Sequence, residues 1–206
     1  MLQLDNVARE GFFQPVNLSV SAGERVVVSA PSGSGKTLLL RSIAELDPHI
    51  GTLLLDGRLS RTWGIPAWRS QVMYVPQRIA FLPGTVRDVL RHAFQFKTHK
   101  AKTFSEDEAA ELLRTLGRSS KLLDRETNHL SGGEAQSVAL IRALLLSPRV
   151  LLTDEITSDL DHALAGRVET LLIEWTSQPG RALMWVGHNA AENERIATST
   201  ITLGKP

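Results

Sequence analysis

Hydrophobic positions along this chain follow two periods. Leu2, Leu4 and Val7 roughly alternate with polar neighbours, and Val16, Leu18 and Val20 alternate strictly, as a half-buried strand does. Val26-Val27-Val28 is an unbroken β-branched run, the pattern of a strand covered on both faces. A Gly-rich loop follows, and Leu38, Leu39, Leu40 and Ile43 then take helical spacing. Leu53 to Leu55 predicts a strand ending at the turn pair Asp56-Gly57, and Val72 to Val75 a strand that stops at Pro76. From Thr85 to Leu116 the sequence is helical and charged, with Ser105 and Glu108 at capping-box spacing ahead of Leu112, Leu113 and Leu116. Lys97-Thr98-His99-Lys100-Ala101-Lys102 reads as a basic, solvated linker. A helix from Gly133 to about Leu146, a strand at Val150–Leu152, a helix over 162–175, a strand over 181–186, a short helix near 190–197 and a strand over 200–203 complete the chain. Strands alternating with helices predict an α/β fold with a parallel sheet. A mostly helical insert interrupts it between about 78 and 146, inside a single domain spanning 1–206.

Composition narrows the function classes. Lys plus Arg number 23 against 22 Asp plus Glu, and this net charge of +1 argues against a broad electrostatic footprint for nucleic acid or an anionic membrane. With no cysteine, disulfides, zinc fingers and thiol catalysis are excluded, and a reducing compartment is the default. The start MLQLDNVARE has neither a basic nor an apolar leader region, so no signal peptide is expected. The apolar stretch Val138 to Leu146, broken by Arg142, is far short of the roughly 20 residues a membrane span needs.

Ala30-Pro31-Ser32-Gly33-Ser34-Gly35-Lys36-Thr37 follows the buried strand and opens a helix, which is the context a phosphate-binding loop requires. Its glycines let successive N–H groups turn inward at phosphate oxygens, and the helix N-terminus adds partial positive charge. Lys36 can reach the β- and γ-phosphates, and the Thr37 hydroxyl can ligate Mg²⁺. Ala30 stands where the pattern usually has glycine, so either its backbone keeps a negative φ or the loop is slightly strained. Val150-Leu151-Leu152-Thr153-Asp154-Glu155 is an apolar strand ending in two acids, commonplace alone but not beside such a loop. Asp154 is placed to hold the metal, and Glu155 to orient or deprotonate an attacking water.

Leu130-Ser131-Gly132-Gly133-Glu134-Ala135-Gln136 resembles the LSGGQ signature of ATP-binding cassette (ABC) ATPases, with Glu134 in place of the usual glutamine. Taken alone, the same residues also read as a capped helix start, Ser131 at the N-cap and Glu134 at N3. The remaining motifs come in family order. Tyr74-Val75-Pro76-Gln77 looks like the Q-loop, Ser158-Asp159-Leu160-Asp161 like the D-loop with Asp159 for a usual alanine, and Val186-Gly187-His188-Asn189 like the switch-histidine loop.

The resemblance implies a P-loop NTPase, RecA-like core of about 1–77 and 147–206. It adds an antiparallel β portion at the N-terminus and a helical subdomain of about 78–146 carrying the signature. It implies ATP and Mg²⁺ as ligands, with Glu155, His188 and Gln77 catalytic, and Thr37, Gln77 and Asp154 toward the metal. Residues 30–37, Ser131, Gly132, Gly133 and Asp161 bind nucleotide. Phe12 is the expected adenine-stacking ring, with Phe13 as a core alternative and Arg9 as a stacking alternative. A homodimer with ATP sandwiched between protomers is implied, together with a separate integral membrane permease docking near Gln77 to Val89. There Phe81 and Leu82 are either apolar contacts or core. No nucleic-acid partner is expected, and the implied place is the cytoplasmic face of the cell membrane. Asp154-Glu155-Ile156-Thr157-Ser158 and Leu183-Met184-Trp185-Val186-Gly187-His188 resemble the ATPase subunit of FetA-type iron exporters. A soluble non-transport ABC ATPase and a nucleotide-binding module with little turnover are the competing readings.

Overall fold

The computed structural model describes residues 1–31 and 33–204. Its centre is a five-stranded, all-parallel sheet in the order β6 (Val72–Val75), β7 (Val150–Asp154), β8 (Ala182–Val186), β3 (Arg25–Ser29), β9 (Ser199–Thr202). Every residue of β7 and β8 is buried, which is why both strands read as unbroken apolar runs. Period-two alternation divides the three central strands between two cores. Val26, Val28, Val150, Leu152, Ala182, Met184 and Val186 join one cluster, with Leu39, Leu40 and Ile43 of α1 (Lys36–Ile43). Val27, Leu151, Leu183 and Trp185 join the other, on the face covered by α5 (Glu106–Thr115), α6 (Gly132–Leu145) and α7 (His162–Ser177).

A second, antiparallel sheet runs β2 (Phe13–Val20), β1 (Leu2–Arg9), β4 (Ile50–Leu55), β5 (Arg58–Leu59). The broken alternation of Leu2, Leu4 and Val7 has a local cause: the register shifts between Leu4 and Val7, and Asn6 sits there at φ 50°. Gly51 packs against that irregularity at φ +85°, where a Cβ would lie 2.3 Å from the Asn6 carbonyl oxygen.

The elements expected from periodicity form within a few residues of their places, including α8 (Ala190–Ile196). Residues 58–71 hold structure that periodicity does not announce: β5, a short α2 (Ser60–Trp63) and α3 (Ile65–Gln71), which starts after Gly64 at φ 77° with proline in its first turn. Trp68 anchors this segment, fully buried and donating its indole N–H to the Ile43 carbonyl at 2.8 Å. The stretch 85–116 is not one helix but α4 (Val86–His92), two single 3-10 turns and α5. Only half of the Ser105–Glu108 capping box forms, with the Ser105 hydroxyl accepting from the Glu108 N–H. Among the described residues, no helix is long and apolar enough to cross a membrane.

The solvated linker expected at 97–102 is corrected. His99 is buried, and the Lys102 ammonium donates to the carbonyls of Leu146 and Ser147, where α6 ends. Those carbonyls have no intrahelical donor, so a basic chain that reaches them is held there rather than in water. Burial first, then the charge of Arg181, lowers the Lys102 pKa. Lys102→Met is expected to cost about 1 kcal/mol in chemical denaturation, whereas a lysine on a solvated linker would cost nothing measurable.

Candidate active site

The carboxyl ends of β3, β7 and β8 lie side by side, and ligands of open α/β sheets gather outside such ends. The loop 30–37 leaves β3 there. Gly33 and Gly35 take φ +76° and +86°, conformations costly for any residue with a Cβ, and a Cβ on Gly35 would press on Phe13 and the Phe12 carbonyl. Ala30 is not among the positive-φ residues, so the departure from glycine brings no backbone strain. The Lys36 ammonium donates to the Ala30 carbonyl at 2.8 Å and the Pro31 carbonyl at 3.3 Å, which holds it inside the loop it serves. Ser34 is buried with its hydroxyl unpartnered among the described residues, and Thr37 is exposed at the start of α1. Ser32 lies outside the described residues.

Asp154 ends β7 at 3% exposure. The Tyr74 hydroxyl donates to its Oδ2 at 2.7 Å, while Oδ1 is buried with no hydrogen-bond partner among the described residues. Burial first, then the bond to Asp154, pushes the Tyr74 pKa well above the usual phenol range. A buried carboxylate oxygen left without a donor is the feature a cation would satisfy, so the residues present fit a hard divalent ion.

Glu155 follows at φ 52°, a left-handed conformation rare for residues with a side chain, held by its N–H bond to the Val186 carbonyl at 2.8 Å. Its Oε1 lies 2.7 Å from His188 Nε2. The loop bearing His188 is braced from behind. Asn193 accepts from the Trp185 indole N–H at 2.9 Å and donates to the Gly187 carbonyl at 3.3 Å. Gly187 admits no Cβ, because one would stand 2.5 Å from the Trp185 indole nitrogen. Gln77 reaches across to the Ser158 hydroxyl at 3.3 Å, and a cleft of about 360 Å³ joins Gln77, Glu155, Asp159 and Gly132.

The signature residues border that cleft, and among the described residues no hydrogen bond or ion pair links them to the phosphate loop. The capped-helix reading of Ser131 and Glu134 holds structurally. The Ser131 hydroxyl accepts from the Glu134 N–H and donates to Glu134 Oε2, and the same oxygen accepts from the Ser131 N–H, a complete capping box on α6. Arg125 holds the other carboxylate oxygen at 2.5 Å. Burial pulls the Glu134 pKa upward, but the Ser131 donors and Arg125 outweigh it and leave it lowered. Gly133 faces the Arg118 guanidinium, and Asp161 caps α7 by accepting from the Leu164 N–H at 2.9 Å. Phe13 is core, whereas Phe12 is 47% exposed with the Arg9 guanidinium 4.9 Å from its ring centroid, so the two stacking candidates form one cluster.

Tyr74, Asn193, Trp185 and Arg125 carry geometry that the sequence motifs did not assign to them. Tyr74 stood inside a quoted motif, but its partner lies 80 residues away, and nothing local announces that pairing.

A phosphate loop ending a buried parallel strand, with an acid pair ending a neighbouring strand and a histidine beside it, defines a P-loop nucleotide hydrolase. The ABC transporter family model matches residues 13–158. The chain is 34% identical to the probable iron export ATP-binding protein FetA of Escherichia coli, over 98% of this chain and 91% of that one. It is 36% identical to the Fe(3+) ions import ATP-binding protein FbpC of Pseudomonas fluorescens, over 82% of this chain and 48% of that one. A solved dimeric bacterial ABC transporter cassette, MJ0796, superposes with a TM-score of 0.83 at 25% identity, over 98% of this chain and 94% of that one. The chain belongs to the ABC transporter family, as an ATP-binding subunit. It is an ATPase, and its ligands are ATP and Mg²⁺.

Two outcomes test the geometry around the site. Asn193→Ala, which frees the Gly187 carbonyl, is expected to lower kcat ten- to roughly a hundredfold with nucleotide affinity kept; measured turnover and binding separate the two. Glu134→Gln is expected to lower stability near neutral pH by under about 1 kcal/mol. A lowered carboxylate pKa stabilises above the unfolded value near 4.3, so the difference from wild type should close as pH falls through the folded value. Melting temperatures across that range read it.

Proposed function

We propose that this chain is the motor of a membrane metal-ion exporter, iron being the cargo, and that it works as a head-to-tail homodimer around two ATP. The observation that carries the hydrolytic part is the 2.7 Å contact of Glu155 with His188 at the strand ends beside the phosphate loop. ATP enters with its phosphates on the loop N–H groups and the N-terminus of α1, and Lys36 swings from loop carbonyls to the β- and γ-phosphates. Phe12, carrying Arg9 against its ring, offers the adenine a stacking face. Thr37 and Asp154 would hold Mg²⁺, with Gln77 beside them, and the bound ion would supply charge neutralisation to the phosphates.

Glu155 accepts a proton from the attacking water, whose oxygen bonds to the γ-phosphorus as the bridge to the β-phosphate breaks. His188 holds Glu155 in place and contacts the γ-phosphate. Ser131 and Gly133 of one protomer cap the γ-phosphate held by Lys36 of its partner, so each chain carries two half-sites. Loss of inorganic phosphate removes the bridge and lets the halves part.

The permease docks in the helical half, on the cytoplasmic face of the membrane. A cavity of about 700 Å³ there is lined by Met73, Leu82, Val89, Phe96 and Arg142 among others. Leu82 and Phe96 are 63% and 57% exposed, large apolar side chains that water solvates poorly and a membrane subunit's cytoplasmic helix would cover. Phe81 instead packs against the core beneath Arg142, 5.4 Å from its guanidinium. Export and iron rest on the likeness to FetA over nearly the whole of both chains, where the likeness to FbpC spans 48% of that protein.

The test is the solution mass of Glu155→Gln with and without ATP. A monomer that becomes a dimer only with ATP supports the sandwich; a monomer that binds ATP without pairing overturns it. Cells carrying the wild-type chain and its permease should hold less iron than cells carrying Glu155→Gln, and equal contents would remove the cargo.

A further inference from the structure

Tyr74 sits on β6, the edge strand of the parallel sheet, and pairs in register with Leu152 while Val75 pairs with Thr153. That register sets its hydroxyl beside the carboxylate that ends β7, at 2.7 Å from Asp154 Oδ2. The two oxygens of Asp154 are therefore unequal: one is filled by a neutral donor, and the other is buried with no partner among the described residues. A carboxylate on a short side chain turns freely about its last bond, in a broad and roughly two-fold potential. A single donor fixed by a neighbouring strand removes that freedom.

We propose that Tyr74 is a positioning residue for the divalent cation, pinning the Asp154 carboxylate so that Oδ1 alone is offered to the ion. The inference rests on the reading of Asp154 as the residue toward the metal, and goes beyond it by assigning the control of that residue to a phenol outside the phosphate loop and the acid pair. Mg²⁺ demands near-octahedral coordination, whereas Ca²⁺ accepts varied numbers and angles of oxygen ligands. A pinned carboxylate thus matters more for Mg²⁺ than for Ca²⁺, and Tyr74 contributes to the choice between them.

The experiment measures the affinity of the full chain for a fluorescent N-methylanthraniloyl ATP in EDTA, in Mg²⁺ and in Ca²⁺. The variants are Tyr74→Phe, Tyr74→Met, Asp154→Asn and Tyr74→Phe combined with Asp154→Asn. Both Tyr74 variants should match wild type within about twofold in EDTA and lose about tenfold of the gain that Mg²⁺ brings, the size expected when a charged acceptor loses its donor. The loss in Ca²⁺ should be smaller. Asp154→Asn should abolish the Mg²⁺-dependent gain, and Tyr74→Phe should add nothing on that background. Equal weakening in EDTA would make the hydroxyl merely structural and overturn the proposal, as would unchanged Mg²⁺ dependence or equal losses in Mg²⁺ and Ca²⁺. A full Mg²⁺ gain in Asp154→Asn would instead overturn the metal reading beneath it. Melting temperatures establish that each variant is folded at the assay temperature.

Discussion

The site depends on the level at which two buried strands end. β7 and β8 pair in parallel from Val150 with Ala182 to Asp154 with Val186, and the next N–H, that of Glu155, still bonds to Val186. Both chains therefore leave the sheet together, and a slip of one residue would turn every side chain of a strand to the opposite face. Asp154 would then leave Tyr74, and Trp185 would leave Asn193. The register is protected because each face of each strand is committed to one of two cores, with Leu151, Leu183 and Trp185 on one side and Val150, Leu152 and Met184 on the other. Packing thus fixes chemistry here, although the residues doing the packing are themselves apolar.

A polyanionic ligand on a chain of net charge +1 calls for local rather than global positive charge. The loop 30–37 has the means to supply it, in backbone N–H groups, the start of α1 and one lysine. Two nearby arginines share one carboxylate: Arg41 and Arg9 reach Asp47 at 2.7 Å and 3.2 Å. The bond from Arg41, followed by its charge, holds the Asp47 carboxyl below the usual range. Arg9 shares that single carboxylate with Arg41, so it keeps positive charge beside the Phe12 ring, 4.9 Å from its centroid, as a cation–π contact requires.

Much of this was legible in sequence because it is local. A β-branched run, a Gly-rich loop with lysine, an apolar strand ending in two acids and a capped helix start each declare themselves within ten residues. Ser131 and Glu134 show how two meanings coexist: the residues that resemble a signature also complete a capping box. What stayed hidden is the pairing of distant groups. Tyr74 and Asp154 meet only because β6 and β7 adopt a particular register. Asn193 acts through a loop that belongs to another motif. The segment 97–102 reads as solvated because its charges are dense, yet Lys102 finds the open end of a helix whose position no local pattern supplies.

The same alternation that splits the core gives β6 two tasks. Met73 lines the large groove of the helical half, and Tyr74, the next residue, turns to the opposite side and bonds to Asp154. One four-residue edge strand therefore separates the groove from the carboxylate that the unpaired oxygen marks for a cation. Gln77 follows two residues after that strand and reaches Ser158, in the loop after Glu155. Met73 and Tyr74 are consecutive residues of that strand, so a displacement of β6 at the groove would carry Tyr74 with it. The groove and the Asp154 carboxylate thus lie on two faces of one short element, with a phenol hydroxyl as the contact between that element and the carboxylate.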